Sequence, residues 1–65
     1  MLDKNALKAE MVRNGFTQSS LSKELGISPR TFSNRLKSED FGRNEIEKMI
    51  ELLHIKNPVS IFFKP

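Results

Sequence analysis

The sequence predicts an all-α fold, a compact bundle of four to five helices forming a single domain over residues 1–65. Two observations carry this prediction. The stretch TQSSLSKELGISPRTFSNRL, Thr17 to Leu36, reads as two short helices joined by a tight turn. Further on, Ile46, Met49, Ile50 and Leu53 recur at i, i+3, i+4 and i+7, the spacing of a helix with one apolar face. Length and composition add a constraint. Sixty-five residues is near the lower limit for unaided folding, and the chain has no cysteine, so the core must be compact and largely local. Disulfide staples and thiolate zinc sites are excluded.

Taken in order, Leu7 and Met11, with Val12 beside them, form a narrow apolar face between a polar start at Asp3 or Asn5 and a stop at Gly15. They define a first helix, and Phe16 closes the joint after it. Thr17 can cap the second helix with its hydroxyl, and Leu21 and Leu25 lie four apart on its inner face. Gly26 ends that helix, because glycine adopts the left-handed conformation without steric cost, and Ile27 follows as a buried plug. Ser28 as N-cap and Pro29 at the first helical position start the third helix at once, and Phe32 and Leu36 turn it inward. Lys37 to Arg43 reads as a polar loop from which Phe41 dips into the core. Gly42 or Arg43 then opens the fourth helix. Asn57 and Pro58 give another cap-and-start signal, and Val59 to Phe63 reads as one short helical turn or an apolar tail.

So short a turn between two amphipathic helices gives the crossing of a helix-turn-helix, whose second helix projects and can enter a DNA major groove. The reading unit is about 17–36. Away from Phe32 and Leu36, its second helix offers Arg30, Thr31, Ser33, Asn34 and Arg35, polar side chains with no acid among them. The charge distribution agrees. Of a net +3, the residues up to Lys37 hold seven bases against three acids, and those from Ser38 onward hold four bases against five acids. The basic half coincides with the reading unit and supplies attraction to phosphates.

Residue chemistry then suggests roles. Arginine can grip guanine O6 and N7, and asparagine can pair with adenine N6 and N7, so Arg30 and Asn34, four apart on one helix face, are the leading base-contacting candidates. Thr31 and Ser33 are secondary candidates, since a threonine methyl can meet thymine, and Pro29 starts the helix at its base-facing edge. Thr17, Lys37, Ser38 and Arg43 are phosphate-contacting candidates by position.

On Gln18 opening the second helix, the run Gly26-Ile27-Ser28, Phe32 and Leu36, the chain resembles the phage Cro and repressor family of helix-turn-helix regulators, the Xre-like group. The resemblance continues through Phe41, Glu45-Ile46, Met49, Leu52-Leu53, Ile55 and the closing Pro58 to Phe63, which look like the last helices of small regulators from phages of Gram-positive bacteria. Two positions depart from that pattern. Ser22 stands where alanine usually packs between the two helices, and His54 stands where a helix-ending glycine is common; serine is still small, and histidine tolerates the left-handed region. The resemblance implies operator DNA as ligand, a weak homodimer reading paired half-sites, a bacterial cytoplasmic setting, and a role for Gln18 in bracing the recognition helix or touching a phosphate. Met1 and the lack of a trailing linker favour a whole protein or nearly so.

Other chemistry finds little support. His54 has no partner histidine or cysteine for a metal, there is no glycine-rich phosphate loop, and the serines lack a nucleophile's setting. No enzyme activity, metal or cofactor is expected. No apolar run approaches the roughly 20 residues that span a bilayer, and the first residues lack the apolar centre of a signal peptide, so a soluble protein is expected. One alternative belongs to another class: an antirepressor or modulator that acts by binding a partner repressor protein. Its basis is the apolar run Ile61, Phe62 and Phe63. Three adjacent apolar side chains cannot all face one small core, which makes this run a candidate dimer or partner surface.

Overall fold

A computed structural model describes residues 1–64 as five helices: α1 (Lys4–Arg13), α2 (Gln18–Leu25), α3 (Pro29–Ser38), α4 (Arg43–Leu52) and α5 (Pro58–Phe62). No strand occurs among the described residues. The all-α expectation holds, with Pro58 to Phe62 forming a fifth helix.

The first four helices each start where a side chain accepts a backbone N–H, and α5 starts at Pro58 with no side-chain cap. Asp3 accepts the Ala6 N–H at 3.1 Å for α1. Thr17 and Ser20 form a reciprocal box for α2, at 3.1 Å from the Ser20 N–H to Thr17 Oγ1 and 2.9 Å from the Thr17 N–H to Ser20 Oγ. Ser28 accepts the Thr31 N–H at 3.1 Å for α3, with Pro29 at its first position. Glu45 reaches back to the Gly42 N–H at 2.9 Å for α4.

The ends share one device. Gly15, Gly26, Glu39 and His54 all sit at positive φ, between 52° and 76°, just after α1, α2, α3 and α4. The next residue's N–H then folds back on an earlier carbonyl: Phe16 on Met11 at 2.8 Å, Ile27 on Ser22 at 3.0 Å, Asp40 on Arg35 at 3.1 Å and Ile55 on Ile50 at 3.1 Å. Phe16 and Ile27 are half-buried and Ile55 is buried, so three of these returns also insert an apolar plug.

The core comprises Leu2, Leu7, Met11, Leu21, Phe32, Leu36, Phe41, Met49, Leu53, Ile55, Ile61 and Phe62. Phe41 enters it from the loop before α4, its ring centroid 5.4 Å from that of Phe32. Ile46 and Ile50 lie at its edge, whereas Met49 and Leu53 are fully enclosed. Leu2 closes the bundle from outside any helix, and the Asp3 N–H donates to the Ile61 carbonyl at 2.7 Å, joining the N-terminal segment to α5.

Several local expectations are corrected. Val12 faces solvent at 78% exposure, so the inner face of α1 is Leu7 and Met11, with Ala6 half-buried beside them. The third helix runs past Leu36 to Ser38, and only Glu39 to Gly42 forms the loop. Ile61 and Phe62 are buried by packing against the N-terminal segment and α1, which removes both from the candidate dimer or partner surface. Phe63, 58% exposed, remains.

The two unusual positions have clear accounts. Ser22 is fully buried and its hydroxyl donates to the Ser19 carbonyl at 2.8 Å, so no hydrogen bond is lost. His54 takes the left-handed conformation at φ 52°.

Candidate nucleic-acid interface

The packing of α2 against α3, with its turn of Gly26 to Ser28, fixes which side of α3 is free. Phe32 and Leu36 are the buried residues of α3. Four and seven residues on from Arg30, Asn34 and Lys37 follow the same outward stripe, and all three are exposed. Arg30 and Lys37 have no carboxylate within 4.0 Å among the described residues, so their charges are available to an outside anion.

Ser33 lies half-buried on the α1 side of this stripe. Thr31 is also half-buried, and its hydroxyl accepts from Ser28 Oγ at 2.9 Å, which makes it part of the N-cap of α3. Pro29 is exposed at the start of the helix.

The phosphate candidates divide into two groups. Gln18 and Lys37 are exposed and share a shallow cleft with Ser33. Thr17 and Ser38 are exposed, but their hydroxyls bond locally. Thr17 Oγ1 donates to Ser20 Oγ at 3.2 Å, and Ser38 Oγ donates to the Arg35 carbonyl at 3.3 Å. Arg43 pairs with Glu47 at 3.1 Å on the open surface of α4, an exposed i, i+4 pair that holds its charge only weakly.

Arg35 differs from its neighbours. It turns to α4, where Nη1 donates to Glu45 Oε1 at 3.0 Å, and is thereby withdrawn from the outward polar set of α3. Sequence reasoning also missed Lys4 and Lys8 on α1. They line the same cleft as Gln18, Ser33 and Lys37. Their i, i+4 spacing was readable, but only the tertiary packing brings that face of α1 beside α3.

Among the described residues, no group of three or more His, Cys, Asp or Glu side chains is placed to hold a metal ion. No described helix is long and apolar enough to cross a membrane.

What the arrangement can do chemically is bind duplex DNA: a projecting helix carries one guanidinium and one carboxamide outward, with cations and amides at its flank. The comparison with known families agrees. The family described as Bacterial regulatory protein, Fis family, matches residues 1–38, which take in α1, α2 and α3 and so the whole helix-turn-helix. No curated protein and no solved structure matches the chain. With more than half of its length matched and the α2–turn–α3 geometry in place, the chain belongs to the Fis family of bacterial regulatory proteins, helix-turn-helix DNA-binding transcriptional regulators.

Proposed function

We propose that the protein is a sequence-specific operator-binding regulator of the phage Cro and repressor type, a single domain that reads half-sites in the major groove with α3. The observation that carries this reading is the outward stripe of Arg30, Asn34 and Lys37 opposite the buried Phe32 and Leu36. Arg30 and Asn34 contact base edges, with Pro29, Thr31 and Ser33 beside them. Gln18 and Lys37 hold flanking phosphates, joined by Thr17, Ser38 and Arg43 where their local bonds are exchanged. One α3 spans only a few base pairs, so a weak homodimer completed on paired half-sites about one helical turn apart supplies the rest of the specificity.

The test compares Asn34→Ala with the wild-type protein on a duplex selected by the wild type and on duplexes of mixed sequence. Asn34→Ala relaxes discrimination at one base pair by roughly 1 to 3 kcal/mol, with little loss on mixed sequence. Equal losses on both would contradict the assigned base contact.

A second reading is favoured by the exposed Phe63 and Val59, two apolar side chains at the surface of a small protein. In that reading the same fold binds a partner regulator. Partner capture would survive Arg30→Ala and Asn34→Ala and fail on Phe63→Ala, the reverse of the pattern for operator reading.

A further inference from the structure

Lys4 and Lys8 stand one helical turn apart on α1, and Ser33 and Lys37 stand one turn apart on α3. With Gln18 at the first turn of α2 and Leu36 as the apolar floor, these residues line one cleft to which three helices contribute and into which no acidic side chain enters. Three lysines thus border one cleft whose floor is apolar. Lys8 and Lys37 have no carboxylate within 4.0 Å among the described residues, and Lys4 has only a long contact of 3.7 Å to Glu39, outside the cleft. Like charges held together raise the free energy of the folded chain, and an anion seated among them reverses the sign of that interaction.

We propose that this cleft is a phosphodiester-binding subsite, in which Lys4 and Lys8 of α1, together with Lys37 and the Gln18 amide, clamp the DNA backbone beside the groove that α3 enters. The inference rests on the DNA-reading function proposed above and adds α1 as a third contacting helix. Ser33 offers a hydroxyl at the wall of the cleft, and Leu36, buried beneath it, excludes water from one side of the bound phosphate. Lys4 leaves Glu39 when the phosphate arrives, a small change because both side chains of that pair are partly exposed.

The experiment measures the slope of log affinity against log salt for a short mixed-sequence duplex. It compares wild type, the double variant Lys4→Gln/Lys8→Gln, the charge-retaining double variant Lys4→Arg/Lys8→Arg, and Lys56→Gln. Lys56 lies in another depression, beside Glu10, Arg13 and Asn57, and serves as the remote control. The expected result is a slope lower by about one unit in the glutamine variant and nearly unchanged in the arginine variant and in Lys56→Gln, since each phosphate neutralised contributes about 0.9. The glutamine variant melts close to the wild-type temperature, because the only attraction it loses is the long, partly exposed Lys4 contact with Glu39. A glutamine variant with the wild-type slope would overturn the subsite while leaving DNA reading intact. A slope lost equally in the arginine variant would also overturn it, by placing the effect in packing rather than charge. A wild-type protein with no salt-dependent affinity would overturn the DNA reading itself, and this subsite with it.

Discussion

Arg35 on α3 and Glu45 on α4 meet at 3.0 Å, and the carboxylate oxygen that accepts from Arg35 Nη1 also accepts the Gly42 N–H at 2.9 Å. One oxygen therefore caps α4 and holds the recognition helix to it. The two partners are not equivalent. Removing Glu45 takes away both bonds, whereas removing Arg35 takes away one and also eliminates a buried Nε that has no hydrogen-bond partner among the described residues. Glu45→Ala is expected to destabilise the fold by about 1 to 2 kcal/mol, and Arg35→Ala by less. The pair is partly exposed, so a double-mutant cycle in urea should return a coupling under about 1 kcal/mol. Equal losses for the two single variants would contradict the shared-oxygen account.

Asn14 performs a comparable task at the other end of the bundle. Its Nδ2 donates to the Glu10 carbonyl at 2.8 Å and to the Leu53 carbonyl at 2.9 Å, tying the end of α1 to the end of α4. Asn14→Ala leaves both carbonyls without this donor and should lower stability by about 1 to 3 kcal/mol in urea denaturation. A value within the scatter of ordinary surface substitutions, about 0.5 kcal/mol, would show that water replaces the amide.

The left-handed helix ends give predictions of opposite sign. Glu39 and His54 carry a Cβ in a conformation that disfavours one, at φ 57° and 52°. Glu39→Gly and His54→Gly should each raise stability by about 1 kcal/mol, and Gly26→Ala should lower it by a similar amount. For Glu39 the carboxylate also lies at the negative end of α3, so its removal adds to the gain. Thermal melts of the three variants check the pattern. A destabilised Glu39→Gly would mean that its contact with Lys4 outweighs the backbone cost.

Much of this architecture is legible in the sequence because caps and turns are local. Thr17, Ser28, Pro29, Gly15 and Gly26 each act within a few residues of where they sit, and Asn57-Pro58 announces α5 in the same way. Glu39 is the exception among the helix ends. Nothing in glutamate favours positive φ; the reversal lets Phe41, two residues on, reach Phe32. Tertiary relationships are the illegible part. Arg35 shares a polar helix with Arg30 and Asn34, and only the position of Glu45, ten residues later, turns it inward. Phe62 and Phe63 are identical and adjacent, and only the docking of α5 decides that the first is core and the second surface. Lys4 and Lys8 join the candidate site for the same reason.

Asp3 links stability to pH. The Ala6 backbone N–H, and after it the Lys64 ammonium at 3.2 Å, holds the Asp3 carboxyl below its ordinary value of 3.8. Because the folded-state value is the lower one, the contribution is fully present above the ordinary value. It is lost as pH falls toward and through the folded value. Asp3→Asn keeps a side-chain acceptor for the α1 cap and removes this titration. The variant's stability should therefore decline less than the wild type's between about pH 5 and pH 2. Parallel declines in acid would contradict the assignment.

The most direct test of the central claim, that α3 reads base sequence, is to expose the purified protein to a pool of randomised duplexes at about 150 mM salt and sequence what is retained, since non-specific attraction is weak there. The account predicts enrichment of a motif made of two related half-sites about one helical turn apart. Retained duplexes with no common sequence, held only by attraction that further salt removes, would contradict it.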